Sequence, residues 1–383
     1  MASLPAPPVA RGPLAGDAVL RRLPLLDRLL PLWILLAMAL GLALGALAPG
    51  VGAALDALHV EGVSLPIALG LFWMLFPVLA RVRYEALGRV GRAWRLFGAS
   101  LVLNWLLGPA LMFGLAWLLL PDLPAYRTGV ILVGLARCIA MVLVWNELAG
   151  GDREAAAVLV ALNSVFQVAA YAGLAYLYLA VLPRWLGLGA GSAVAVDAAT
   201  VARNVVLFLG APLVLGGLAR WLGIRARGRT WYDGVLMPRL APTALLALLG
   251  TVVLLFSLQG AVILARPGDV ARVALPLVAY FGLMFGLALL AGWRAGLPYP
   301  EAATLAFTAA GNNFELAIAV AIATFGLASG EALAAVVGPL IEVPVLVALV
   351  YAALGLRPRL WPAERPDIAM AARAGRAEVR RRG

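Results

Sequence analysis

The chain has 383 residues, 64% of them hydrophobic and 13% charged, whereas soluble domains carry about 45–50% apolar residues and about 25% charge. The net charge is +11, all 30 basic residues are Arg, and there is one Cys and one His. This balance excludes a soluble domain, a disulfide within the chain and a zinc site of several Cys or His ligands.

Residues 1–28 are Pro-rich and basic, with no separate short apolar core before a cleavage site, and read as a cytoplasmic tail. Ten apolar segments follow, at 29–49, 62–80, 95–120, 126–149, 154–182, 201–222, 235–263, 272–293, 299–325 and 332–355. Each has about the length a helix needs to cross a bilayer. The expected fold is an all-α membrane protein of ten transmembrane helices. A Gly- and Ala-rich linker, 183–200, divides it into five-helix halves, 29–182 and 201–355. Residues 356–383 form a basic tail. Gly41 and Gly45 in the first segment have the small-residue spacing of close helix packing. His59, beside Glu61, reads as a surface histidine.

With the N-terminus in the cytoplasm, 24 Arg fall on cytoplasmic loops and tails. Five fall on the opposite side (Arg127, Arg184, Arg203, Arg266 and Arg272), and Arg137 lies within a span. The asymmetry places both termini inside, as topology rather than as a nucleic-acid surface. The two halves resemble each other around their fourth spans. Each carries polar residues near its middle, then an acidic turn (Asp152 and Glu154; Glu331) and a long final span. Repeats of five spans must be inverted, and inverted repeats place a transport site at their interface.

A charge at mid-membrane costs about 2.5–3.5 kcal/mol on insertion scales, so the residues that break the apolar rule are the functional candidates. They are Arg137, Glu315 and Glu342, joined by Asn146, Asn163, Gln167, Asn312 and Asn313. Gly311-Asn312-Asn313 favours a broken helix whose new N-terminus points partial positive charge at a ligand. Glu315, just after the break, and Glu342, between Pro339 and Pro344, are the expected proton-coupling groups. A permanent pair of Glu315 with Arg137 is the structural alternative. Cys138 alone reads as a small hydrophobe, although Arg137 beside it could favour the thiolate that soft metalloids prefer.

The stretch Leu135-Ala136-Arg137-Cys138-Ile139-Ala140-Met141-Val142, continued through Val144-Trp145-Asn146, resembles the arsenite efflux permease family of the bile acid/arsenite/riboflavin transporter superfamily. Ala161–Gln167, Gly311–Val320, Gly338–Val345, the entry LLDRLLPLWILLAMALG and Val82–Glu85 agree with it, over about residues 24–355. The resemblance implies two inverted five-helix repeats, with helices 4 and 9 discontinuous and crossing at the substrate site. It also implies a bacterial inner-membrane antiporter, without cofactor, that exports arsenite or antimonite against protons. The family's functional cysteine maps onto Cys138 and its acidic residue onto Glu315. Gly311 departs from the Ser expected in many relatives. Substrate contacts are expected from Cys138, Glu315, Asn312, Asn313, Arg137, Asn146 and Glu342. The alternative is a sodium- or proton-coupled organic-anion carrier of the same superfamily. An enzyme would need a paired nucleophile and base in the spans, and none is evident.

Overall fold

A computed structural model describes residues 29–47, 59–60, 63–85, 94–139, 141–188, 198–265, 267–327 and 329–362. The tails at 1–28 and 363–383 lie outside the described residues, as do the middle of the linker and the side chain of His59. Apart from a two-residue antiparallel ladder pairing β1 (His59–Val60) with β2 (Val63–Ser64), the regular elements are helical.

The helices fall on the apolar segments. In chain order they are α1 (Leu30–Leu47), α2 (Leu65–Arg81), α3 (Trp94–Val102), α4 (Gly108–Leu119), α5 (Pro124–Leu135) and α6 (Met141–Leu148). Next come α7 (Arg153–Tyr176), α8 (Leu182–Trp185), α9 (Ala198–Val205), α10 (Ala211–Trp231) and α11 (Met237–Ala265). The last are α12 (Pro267–Arg294), α13 (Tyr299–Ala310), α14 (Phe314–Phe325) and α15 (Gly330–Leu360). Among the described residues, five continuous stretches are long and apolar enough to cross a membrane: Trp94–Leu119, Arg153–Trp185, Ala199–Ser257, Pro267–Arg294 and Gly330–Leu360.

Three of these stretches run on through four π turns, at Leu103–Leu107, Leu177–Val181, Val206–Gly210 and Tyr232–Leu236. Each π turn ends two residues before a proline: Pro109, Pro183, Pro212 and Pro238. A proline has no N–H to give the fourth carbonyl back, and its ring collides with it. Widening the preceding turn relieves that collision without ending the helix.

Two expectations change. Residues 220–239, counted among the cytoplasmic loops that carry the Arg excess, are helical apart from Gly228, whose φ of 81° is open to glycine and turns the chain there. The linker expected from 183 begins as helix, since α8 carries the fifth segment on to Trp185.

The helices pack in two groups. α1, α2, α10 and α11 form one; α4, α5, α12, α13, α14 and α15 form the other. Each group takes helices from both halves of the sequence, so the halves interdigitate. Gly41 and Gly45 explain the closest approach in the first group. A Cβ at Gly41 would lie 2.6 Å from the Val253 carbonyl oxygen, and one at Gly45 would strike that of Ser257, so α1 lies directly on the α11 backbone. At one end of this group Arg220, buried, donates to Asp233 at 2.8 Å and to Glu85 at 2.9 Å. Glu85 also accepts from Arg229 at 2.8 Å.

Candidate functional site

The helical path breaks twice within the second group, and the two breaks meet. α5 and α13 each run for 12 residues, each with a proline in its first turn. α5 ends at Ala136, which turns extended (φ −87°, ψ 125°); α13 ends at Gly311, which does the same (φ −70°, ψ 144°). At the meeting point the extended residues pair as an antiparallel bridge between Arg137 and Asn312. Cys138 N–H donates to the Gly311 carbonyl at 3.2 Å, and Asn313 N–H donates to the Ala136 carbonyl at 3.2 Å. Backbone groups freed by each break are therefore satisfied by the other, which is how irregular chain survives away from water.

Side chains complete the joint. The Asn312 amide donates to the Val133 carbonyl at 2.9 Å and to Ala136 at 3.0 Å, closing the C-terminal end of α5. Asn313 caps α14, its Oδ1 accepting from Leu316 N–H at 3.0 Å. Gln167, on α7, accepts from Arg137 N–H at 2.9 Å.

Arg137 is fully buried, and its position corrects one expectation. No ion pair joins it to Glu315 or to any carboxylate among the described residues. Its guanidinium instead donates to the Tyr280 hydroxyl at 2.5 Å, to the Ala309 carbonyl at 3.4 Å and to the Gly134 carbonyl. Ala309 and Gly134 lie in the last turns of α13 and α5, where the aligned peptide dipoles present partial negative charge. The cation thus lies where two helices end together. Gly108 makes room for it: a Cβ there would fall 2.9 Å from Arg137 Nη1 and 3.0 Å from the Tyr280 hydroxyl. Neither Tyr280 nor Gly108 was marked by the sequence. A tyrosine in an apolar span and one glycine among 41 carry no pattern of their own.

Cys138 is 3% exposed and packs against the second break. A Cβ on Gly311 would come within 2.9 Å of Cys138 Cβ and 3.5 Å of its Sγ, so the glycine leaves the face of the sulfur towards α13 uncrowded. Glu315 is half-buried in the first turn of α14. Glu342 is buried on α15, its Oε1 finds no partner among the described residues, and it lies within Coulombic reach of Glu315.

Asn146 sits elsewhere. Its Nδ2 donates to the Asp152 carbonyl at 3.1 Å and its Oδ1 accepts from Thr304 at 2.8 Å, so both ends of the amide pin the α6–α7 turn to α13. A cavity of about 410 Å³ lies apart from the crossing, lined by Gly70, Ala247, Gly250, Thr251, Val253, Leu254 and Leu327, none of which belongs to the two breaks.

The sequence profile of the sodium bile acid symporter family matches residues 68–266. The arsenical-resistance protein Acr3 of Corynebacterium glutamicum is 53% identical over 353 residues, 92% of this chain and 95% of that protein. This chain belongs to the Acr3 family, within the sodium bile acid symporter family. The Acr3 protein of Alkaliphilus metalliredigens is 32% identical over 88% of this chain and 93% of its own length. An uncharacterized transporter of Synechocystis is 35% identical over 85% and 88%. The Acr3 family is one of membrane transporters and not of enzymes, and its multi-pass character agrees with the long apolar helices described above.

Proposed function

We propose that this protein exports trivalent arsenic from the cytoplasm, with antimonite as a second substrate, by exchange for protons. The observation that carries the reading is the placement of the one thiol of the chain. Cys138 is buried at the joint of two broken helices, against Gly311, in a chain 53% identical to a protein named for arsenical resistance. Thiolate sulfur favours soft metalloids, and a single sulfur gives one bond, weak enough for release. Arsenous acid is uncharged at cell pH, so the membrane potential alone does not drive it out and a coupled proton must.

In this mechanism the metalloid reaches Cys138 from the cytoplasm while Asn312 and Asn313 bind its hydroxyls. Glu315 and Glu342, close enough to repel each other when both are ionised, share the incoming proton, and proton uptake weakens the site for release. Arg137 holds the joint of α5 and α13 together and acts on the substrate only through it. Asn146 acts in the same indirect way, by fixing the turn before α7. Rocking of one helical group against the other exposes the site alternately.

The reading of ten spans as inverted repeats, with both termini in the cytoplasm, is supported by the Arg asymmetry and by the likeness of the two breaks. Each break is preceded by a 12-residue helix and followed by a short one, α6 or α14, and the long helix after that is side-chain-capped, α7 by Asp152 and α15 by Ser329. The organic-anion alternative gains nothing from a thiol at the joint.

The test is arsenite uptake into everted vesicles with an imposed pH gradient. Cys138→Ala is expected to reduce uptake by at least about tenfold while the protein remains in the membrane at its normal level. Normal uptake by that variant removes the thiol from the mechanism.

A further inference from the structure

Beside the residues already assigned to the crossing lie two amides whose NH₂ groups no assignment uses. Asn163 and Gln167 are one turn apart on α7, and are 1% and 0% exposed. Side chains four residues apart share one face of a helix. Each amide has its oxygen engaged by a group that can only donate. Gln167 Oε1 accepts from the Arg137 backbone N–H at 2.9 Å, and Asn163 Oδ1 accepts from the Trp105 indole N–H at 3.2 Å. The orientation of both amides is therefore fixed, and in both the NH₂ group has no protein partner among the described residues. Asn313 is in the same condition, with its oxygen held by Leu316 N–H and its Nδ2 unpartnered.

A buried donor without a partner costs about 1–3 kcal/mol. Native chains keep such groups where something else completes them. Gln167 lies against the residue preceding Cys138. Trp105 belongs to the π turn Leu103–Leu107, directly before Gly108, on which the Arg137 guanidinium rests. From these positions we infer that Asn163 and Gln167 form a donor pair that receives an oxygen of the bound substrate and sets its specificity.

The inference deepens the proposed arsenite site and rests on it. An NH₂ group offers hydrogens, so the pair fits an oxygen lone pair on a metalloid hydroxide. The same hydrogens oppose a bare cation such as sodium, which needs oxygen ligands. Asn312 Oδ1, likewise unpartnered, supplies the complementary acceptor for a substrate O–H. Donors on α7 and an acceptor at the second break together match a small polyhydroxyl species, which both gives and takes hydrogen bonds.

Two isosteric substitutions isolate the donors. Gln167→Glu and Asn163→Asp keep the oxygen that accepts from Arg137 N–H or Trp105 and replace the NH₂ by a second oxygen, which donates nothing when the carboxyl is ionised. Gln167→Met removes both functions. Arsenite uptake into everted vesicles is measured against concentration at pH 8 and at pH 6, with membrane levels of each variant checked by immunoblot. The expected result is a rise in KM of about tenfold at pH 8 for Gln167→Glu and Asn163→Asp, as for Gln167→Met, with the maximal rate less affected. At pH 6 the introduced carboxyl regains an O–H donor, so the KM ratio of either acid variant to wild type narrows, while that of Gln167→Met does not. Wild-type KM in both acid variants at pH 8, with impairment confined to Gln167→Met, shows that only the structural oxygen matters and overturns the inference. Absence of uptake by the wild-type protein itself overturns the arsenite reading and this inference with it.

Discussion

Among single residues, the most informative are those whose charge the membrane penalises. Arg137 was legible in the sequence as an anomaly, but its partners were not. Periodicity marks a buried face and says nothing about which carbonyls converge on it, and a pairing with Glu315 was as consistent with the pattern as the capping of two helix ends that the structure contains. Cys138 could be valued only through the motif around it; burial against Gly311 then gave the thiol a surrounding. Glu315 has no ion-pair partner among the described residues, and Glu342 on α15 lies within Coulombic reach of it. In the proposed mechanism these two intramembrane carboxyls carry the proton. Glu315→Gln is therefore expected to leave arsenite flux that no longer follows an imposed pH gradient. Flux in that variant that tracks the gradient as in wild type assigns the proton elsewhere.

Helical elements were easier to read than their joints. Away from the two breaks and from the short ladder at Val63–Ser64, the described residues of the apolar segments are almost all helical, because 20 apolar residues in a bilayer have no other way to satisfy their backbone. Gly311-Asn312-Asn313 announced the second break through residues that compete with the helical ladder. The first break, at Ala136-Arg137-Cys138, carries no such residues, and it was reached only through family likeness. The π turns were missed altogether, although the prolines that produce them are plain in the chain. A proline two residues beyond a widened turn reads, in sequence, like any proline in a membrane helix. Side-chain caps belong to this scale. Asp152 accepts from Glu154 N–H at 2.8 Å and from Ala155 N–H at 2.9 Å, opening α7. Asp152→Ala is expected to destabilise the protein by about 0.5–2 kcal/mol, seen as a lower thermal midpoint in detergent, with the KM for arsenite unchanged because the cap touches no substrate group.

The molecule as a whole is held by contacts between distant parts of the chain, and one of them responds to pH. Burial pushes the Glu85 carboxyl up, but hydrogen bonding to Arg220 and the charges of Arg220 and Arg229 outweigh it, and the net position is below the ordinary value. A carboxyl lowered on folding adds stability above its unfolded pKa of about 4.3, and loses that contribution as pH falls towards its folded value. Glu85→Gln is expected to cost about 1 kcal/mol or less at pH 7, since the Glu85 side chain is 40% exposed, and the difference from wild type should shrink below about pH 4. Melting curves of both proteins across that range decide it.

The interdigitation of the halves has a further consequence for biosynthesis. When the ribosome has inserted only the first half, α1 and α2 stand in the lipid without α10 and α11, and the Ala136-to-Cys138 joint has no second strand to close it. The nascent polypeptide must wait in that incomplete condition until its C-terminal partner arrives, exposed meanwhile to quality-control proteases. Co-expression of the two halves as separate polypeptides should restore what neither achieves alone.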